Sequence, residues 1–301
     1  VGGDLADEVA SASLARRPDV VVASHAVVDD LPWRAALELG AEHVVTLPTA
    51  EAFLVERLAN GRRSVRARAF VLGVVGGSGG SGASVVAAAA SVAASRHGSV
   101  CLVDLDPGSG GLDLVLGAED EPGARWPDLA SVAGPLEPEA LRGALPSAHG
   151  VDVLSVDRSG ADALPLGAVP AVIDSVRAAY DVVVLDLPRC RPDVLDIVVP
   201  ACDVVLLVAT ADVRGAASAV RHAAALRDLA DLRLVVRHRP RPGAELDPDE
   251  LAAWLDLEIV AEVPHDPRLA AALDRGDPPG LSPRSRLGRT CVELVTSLVP
   301  R

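Results

Sequence analysis

The stretch from Phe70 to Ser84 constrains the fold of this chain more than any other. Phe70-Val71-Leu72-Gly73-Val74-Val75 is apolar and rich in β-branched residues. Gly76 to Gly82 is made wholly of Gly and Ser, and a run of small residues from Val85 to Ser95 follows Ala83-Ser84. Strand, glycine loop and helix in this order build an anion site in α/β proteins. The loop N–H groups and the helix N-terminus face a phosphate, and Gly lets the backbone come close. One residue departs from that pattern. A phosphate loop of the form G-x-x-x-x-G-K-[ST] has a lysine where this chain has Ala83, and the chain contains no lysine at all.

Half of the 301 residues are hydrophobic but only 2% are aromatic, so the core must be Val, Leu and Ala. That composition suits helices packed tightly on a parallel sheet. The formal net charge of −14 argues against non-specific DNA or RNA binding, which runs on phosphate neutralisation by basic side chains. The basic stretch Arg233 to Arg241 reads as a solvated strand end and loop. The cysteines Cys101, Cys190, Cys202 and Cys291 have no C-x-x-C spacing; they read as reduced thiols, not as a disulfide frame or zinc site. No signal peptide is recognisable, and no apolar stretch reaches the roughly 18–20 residues of a membrane span. The expectation is a cytoplasmic protein.

Residues 1–60 alternate helix and strand: helix over Asp4–Arg17, strand over Asp19–Ala23, helix over Trp33–Leu39 closed by Gly40, and a short strand His43–Leu47 ending at Pro48. Thr49 then caps a helix over Glu51–Asn60. The run Trp33 to Leu58 resembles the back half of a response-regulator receiver domain. With no identifiable phospho-acceptor Asp and too few strands, it reads as a degenerate, incomplete receiver-like module. Residues 61–66 are a basic linker. The larger unit, 67–301, is expected to be a doubly wound, mostly parallel α/β domain. Its strands are Phe70–Val75, Val100–Asp104, Val151–Ser155, Val182–Leu187, Val204–Val208, Leu232–Val236 and Glu258–Val263, with helical patterns between most of them. Ligands of such sheets sit beyond the carboxyl ends of the strands. That rule gathers Gly76–Ser84, Asp104, Asp106 and Asp186 at one rim.

The second of these strands ends Leu102-Val103-Asp104-Leu105-Asp106-Pro107, and the fourth ends Val184-Leu185-Asp186-Leu187-Pro188. An Asp closing an apolar strand beside a phosphate loop can hold Mg²⁺ through water. The order of these segments, with Glu262-Val263-Pro264-His265-Asp266-Pro267 near the end and Gly123 to Leu136 between them, is similar to the MinD/ParA superfamily of deviant Walker ATPases. The resemblance is strongest to its actinobacterial septum site-determining (Ssd) and CpaE/TadZ-like branch. It covers 67–301 well and 20–60 more loosely.

The resemblance implies a nucleotide loop of Gly77, Ser78, Gly79, Gly80, Ser81, Gly82, Ala83 and Ser84. Ser78 falls on the family's signature lysine, which reaches a partner's phosphates across a dimer, and Ala83 falls on the P-loop lysine. Ser84 falls on the Mg²⁺-binding hydroxyl, Asp186 on the Walker B aspartate, and Asp106 on the aspartate tied to the attacking water, with Asp104 the acid before it. Metal-side candidates are therefore Ser84, Asp104 and Asp186, and Asp106 is catalytic only if the site is active. Arg237 falls where many relatives carry an Asn that reads adenine. Each charge-assisted hydrogen bond contributes about 1.5–3 kcal/mol. Losing both lysines therefore weakens triphosphate binding by roughly a hundred- to ten-thousand-fold, and hydrolysis more.

The resemblance implies a spatial regulator or scaffold, in septum placement and cell division or in positioning Tad/Flp-type pilus or secretion machinery. It would be a homodimer with protein partners, recruited to the septum, a pole or the inner membrane face, with Mg-ATP or Mg-ADP bound weakly. A slow ATP-driven switch is the alternative. A third reading takes Gly77-Ser78-Gly79-Gly80-Ser81-Gly82 as G-x-G-x-x-G and Asp104 as the ribose acid of a dinucleotide-binding oxidoreductase. It gives Asp106 and Asp186 no task. The amphipathic last helix, Pro283–Val299, is expected to pack on the sheet and not to bind a membrane, because its Arg residues cluster at one end.

Overall fold

A computed structural model describes residues 1–12, 20–25, 31–41, 43–51, 53–55, 69–131, 134–157, 164–239, 246–282 and 284–300. The chain divides into two compact units, Val1–Arg66 and Ala67–Arg301.

In the first unit β1 (Val21–Ser24) and β2 (His43–Thr46) pair in parallel, from Val21 opposite His43 to Ser24 opposite Thr46. Helices α1 (Ala6–Ser11) and α2 (Trp33–Leu39) accompany them. Helix α2 stops where expected, because Gly40 takes the left-handed conformation (φ 69°) and returns its N–H to the last turn. Ala6, Val22, Ala35 and Ala36 form a small core. The helix expected over Asp4–Arg17 is seen as the shorter α1, and residues 13–19 lie outside the described part. So do 56–60 of the expected Glu51–Asn60 helix, of which 53–55 are helical, and the linker 61–66.

The second unit is one eight-stranded sheet. Its strands are β3 (Phe70–Gly76), β4 (Val100–Asp104), β5 (Ser147–Ala148), β6 (Val151–Leu154), β7 (Val182–Leu187), β8 (Val204–Thr210), β9 (Leu232–Arg237) and β10 (Ile259–Val263). Their spatial order is β10-β9-β8-β3-β7-β4-β6-β5, with β3 central, and every pairing is parallel except β5 with β6. Near-continuous Val/Leu strands take this arrangement because both sheet faces are covered. Along β3, Val71 and Val75 face one core while Leu72 and Val74 face the other.

The Leu72 face carries α3 (Ala83–Ala94) and the last helix α11 (Arg286–Leu298). The Val71 face carries α6 (Val169–Ala179), α7 (Pro192–Val198), α8 (Val213–Leu226) and α9 (Pro248–Leu255). Three shorter helices, α4 (Leu112–Leu116), α5 (Pro138–Ala144) and α10 (Leu269–Leu273), complete the set named here.

Two differences from the sequence reading have simple causes. Strand β5 is only two residues long, too short for a period to register. It folds back through His149 and Gly150, both at positive φ (53° and 79°), as a two-residue hairpin turn requires. Strands β8 and β9 run on to Thr210 and Arg237, which face each other in register; that extension carries a guanidinium to the rim. Helix α11 starts at its Ser285 cap, whose hydroxyl accepts from the Gly288 N–H. Its buried face, Leu287, Cys291, Leu294 and Val295, packs with α3 and β10. Among the described residues no helix is long and apolar enough to cross a membrane.

Candidate functional site

The loop between β3 and α3 lies at the carboxyl edge of the central strand. Gly77 donates its N–H to Val208 O at 2.9 Å, which ties the loop to the end of β8. A side chain at Gly77 would press on Ala219 of α8, 2.8 Å from its Cβ. Ser81 folds under the loop and is buried, its N–H donating to Ser78 O at 3.2 Å. Gly82 (φ 87°) turns the chain into α3 in a conformation that Gly adopts without strain. No side chain caps this helix. The N–H groups of its first turn have no intrahelical acceptor and are available to an anion. Gly79 and Gly80 form the exposed crest, and Ser78, Ala83 and Ser84 are half-buried. The eight loop residues predicted from sequence thus form one continuous cradle.

Two aspartates close adjacent strands beside it. Asp104 and Asp186 stand opposite each other in register, and both are buried. Burial pushes the Asp186 carboxyl up to about 7; a hydrogen bond with Ser84 opposes the shift, and the charges of Asp104 and Asp106 add to it. Its Oδ2 is buried without a hydrogen-bond partner. A carboxylate held between a helix-start hydroxyl and two other acids, with one oxygen unsatisfied, has the donor chemistry of a Mg²⁺ ligand. Ser84 and Asp186 therefore fit a divalent cation. No cluster of three or more His, Cys, Asp or Glu among the described residues could hold a metal, so an ion here needs the Ser84 hydroxyl, water and a bound anion to complete its shell.

Asp104 also organises its own loop. Its Oδ1 accepts from the Asp106 N–H (3.1 Å), and its Oδ2 accepts from the Ser109 hydroxyl (2.7 Å) and the Leu112 N–H (3.2 Å). The indole N–H of Trp126 caps its carbonyl at 2.6 Å. Burial raises this carboxyl to about 6, against those hydrogen bonds. With three hydrogen bonds from its own loop, Asp104 shapes residues 105–112, and its Oδ1, which accepts only one of them, keeps an acceptor position. Asp106 is half-exposed at the rim, its Oδ1 accepting from Gly108 N–H at 3.0 Å, and its charge reaches Asp186 and Arg191.

The basic stretch at the end of β9 is not the solvated strand end expected of it. Arg237 donates from Nη1 to Ser81 O (3.1 Å), and Arg239 donates from Nη2 to Gly80 O (2.9 Å). A Cβ placed at Gly82 would overlap the Arg237 guanidinium. Burial, then the neighbouring Arg239, push the Arg237 pKa down. From the other side Arg189, three residues past Asp186, leans on the first half of the loop. A Cβ at Gly79 would lie 3.6 Å from its Nη2, and one at Gly76 would lie 3.3 Å from its Cδ. The lysines are absent, but guanidinium groups surround the loop. Sequence reasoning missed Arg189 altogether; its one signal was its place just beyond the Asp186-Leu187-Pro188 strand end.

A family model described as the Rv3660c-like, CheY-like N-terminal domain matches residues 1–69, in agreement with the receiver-like reading of the first unit. The uncharacterized protein Rv3660c of Mycobacterium tuberculosis is 41% identical over 275 residues, spanning 90% of this chain and 77% of that protein. Two solved structures share the fold of the second unit. One is the septum site-determining protein MinD of Pyrococcus horikoshii OT3 in complex with Mg-ADP, with TM-score 0.65 and 22% identity over 76% of this chain and 95% of that one. The other is a ParA family ATPase of Chlorobium tepidum TLS, with TM-score 0.66 and 19% identity over 76% of this chain and 98% of that one. The second unit is thus a MinD/ParA-type P-loop fold.

Proposed function

Because the chain belongs to the family of mycobacterial Rv3660c and joins a CheY-like module to a MinD/ParA-type fold, we propose that it is a spatial regulator acting as a protein-recruiting scaffold, with efficient ATP hydrolysis lost. The observation that carries this reading is Ala83 at the start of α3, beneath an otherwise complete glycine loop. A methyl group cannot follow a phosphoryl group through its transition state, and phosphoryl transfer depends on stabilising the charge that develops there. Ser78, half-buried in the same loop, cannot supply a cation either.

The chemistry that remains belongs to the metal side. Ser84 and Asp186 would hold Mg²⁺, and the ion would neutralise phosphate charge when bound. The first-turn N–H groups of α3 would orient the phosphates, and Asp106 would accept a hydrogen bond from water at the rim. Nucleotide is then a weak ligand that biases conformation. The process served is septum placement or the positioning of Tad/Flp-type pilus or secretion machinery, with homodimerisation across the nucleotide face. A slow ATP-dependent switch is the second reading, favoured by the Asp186–Ser84 pair and the unsatisfied Asp186 oxygen.

Light scattering over a concentration series, with and without Mg-ATP, tests the scaffold together with a phosphate-release assay. The expected result is a dimer at working concentration and phosphate release at background. A monomer throughout, or ATP turnover that Asp106→Ala abolishes, would contradict it.

A further inference from the structure

We propose that the glycine loop is a polyphosphate site whose positive charge comes from Arg189, Arg237 and Arg239, at the ends of β7 and β9, instead of from a lysine within the loop. The inference rests on reading the loop as a phosphate cradle. It goes beyond that reading by naming the side chains that supply the cations.

Three like charges have been brought to one small loop from two separate strands. The chain has 42 acidic residues for 28 basic ones, so carboxylate partners are abundant. Other arginines have taken them: Arg125 with Asp113, Arg233 with Asp231 and Glu258, Arg191 with Asp193, Arg275 with Asp277. Among the described residues Arg189, Arg237 and Arg239 have no carboxylate partner. Cations gathered without a counter-ion repel one another, and an anionic ligand relieves that repulsion. A guanidinium has five N–H donors in a planar fork that matches phosphate oxygens. Arg237 and Arg239 each use one donor on a loop carbonyl, and Arg189 uses none among the described residues.

The placement is complementary to the rest of the site. Arg189 flanks the Gly76–Gly79 half of the loop, and Arg237 and Arg239 flank Gly80–Gly82. The open N–H groups of α3 begin at the loop's end. The Asp186 Oδ2, buried and unpartnered, lies on a carboxyl beside the Ser84 hydroxyl of that same first turn. A polyphosphate chain needs cations along its length and a metal position near one end, and both are present here. Arg237 and Arg239 have a second task, bracing the loop carbonyls. Arg189 makes no such bond, so it is the position that separates ligand binding from bracing.

Calorimetric titration with Mg-tripolyphosphate and Mg-ATP provides the test, using wild type, Arg189→Ala, Arg237→Ala and Arg237→Lys. Wild type is expected to bind both ligands. Arg189→Ala should weaken both by roughly ten- to a hundred-fold, the loss of one charge-assisted contact, with an unchanged Tm. Arg237→Lys should retain more affinity than Arg237→Ala, because it keeps the charge. Equal binding of the two ligands would assign recognition to the phosphates alone, and tighter ATP binding would add a nucleoside contact; both support the proposal. Absence of binding to either, or affinity in Arg189→Ala equal to wild type, would overturn it. Phosphate release from ATP by wild type would instead count against the scaffold reading, leaving this inference to be judged on Arg189.

Discussion

Asp104 and Asp186 close neighbouring strands, face each other in register and are buried alike, yet their surroundings differ. Asp104 accepts hydrogen bonds from Asp106, Ser109 and Leu112, and its carboxyl is raised to about 6. Asp186 has the Ser84 hydroxyl beside it, keeps one oxygen unsatisfied and is raised further, to about 7. Burial is the leading cause in both, and the number of donors separates them. A carboxylate that accepts three hydrogen bonds from its own loop holds that loop in shape. One held buried with an oxygen that accepts no hydrogen bond is poised for a cation, and either a proton or a bound cation relieves its repulsion from the other acids.

The largest effect that would break this comparison is on stability at Asp104. Replacing it with Ala leaves the Asp106 and Leu112 N–H groups and the Ser109 hydroxyl without their acceptor. The expected loss is about 3 kcal/mol or more in urea denaturation. An unchanged midpoint would mean that loop 105–112 does not depend on Asp104.

Asp186→Asn should act in the opposite direction, with a definite pH dependence. Below about pH 4 the carboxyl is neutral in folded and unfolded chains and costs nothing. From there to about pH 7 the unfolded chain, with a carboxyl near 3.9, releases its proton first, so wild-type stability falls as pH rises. Above 7 the full cost is present. The variant should therefore gain little at pH 4 and about 1–3 kcal/mol at pH 8, measured without Mg²⁺. A gain that shrinks with rising pH would contradict the assignment. Ser84→Ala should have the smallest effect on folding, about 1 kcal/mol or less from removing the hydroxyl beside Asp186. It should also lower Mg²⁺ affinity roughly tenfold, read by titration with the metal alone.

Much of the fold was legible because its strands are apolar runs flanked by turn residues. All seven long strands of the second unit lie where the runs place them, and Gly40 and the glycine loop mark their helix boundaries by conformational demand alone. The site was legible only as positions. Asp104 and Asp186 carry the same sequence signal, an acid ending a Val/Leu strand, and only the course of residues 105–112 tells them apart. The convergence of Arg189 with Arg237 and Arg239 depends on β7 and β9 ending at the same rim with β3 and β8 between them. No local pattern encodes that. The stretch from Arg233 onward was misread for the same reason: Arg233 pairs with Asp231 and Glu258, while Arg237 and Arg239 turn to the loop.

The central claim is that this is a phosphate loop that has lost its lysine while keeping its metal side. The most direct measurement is calorimetric titration with Mg-ATP, followed by a turnover assay, for wild type and Ala83→Lys side by side. The account predicts weak binding and background turnover in wild type, and at least tenfold tighter Mg-ATP binding in the variant, since one charge-assisted hydrogen bond is restored. Wild-type turnover that the lysine leaves unchanged would contradict it.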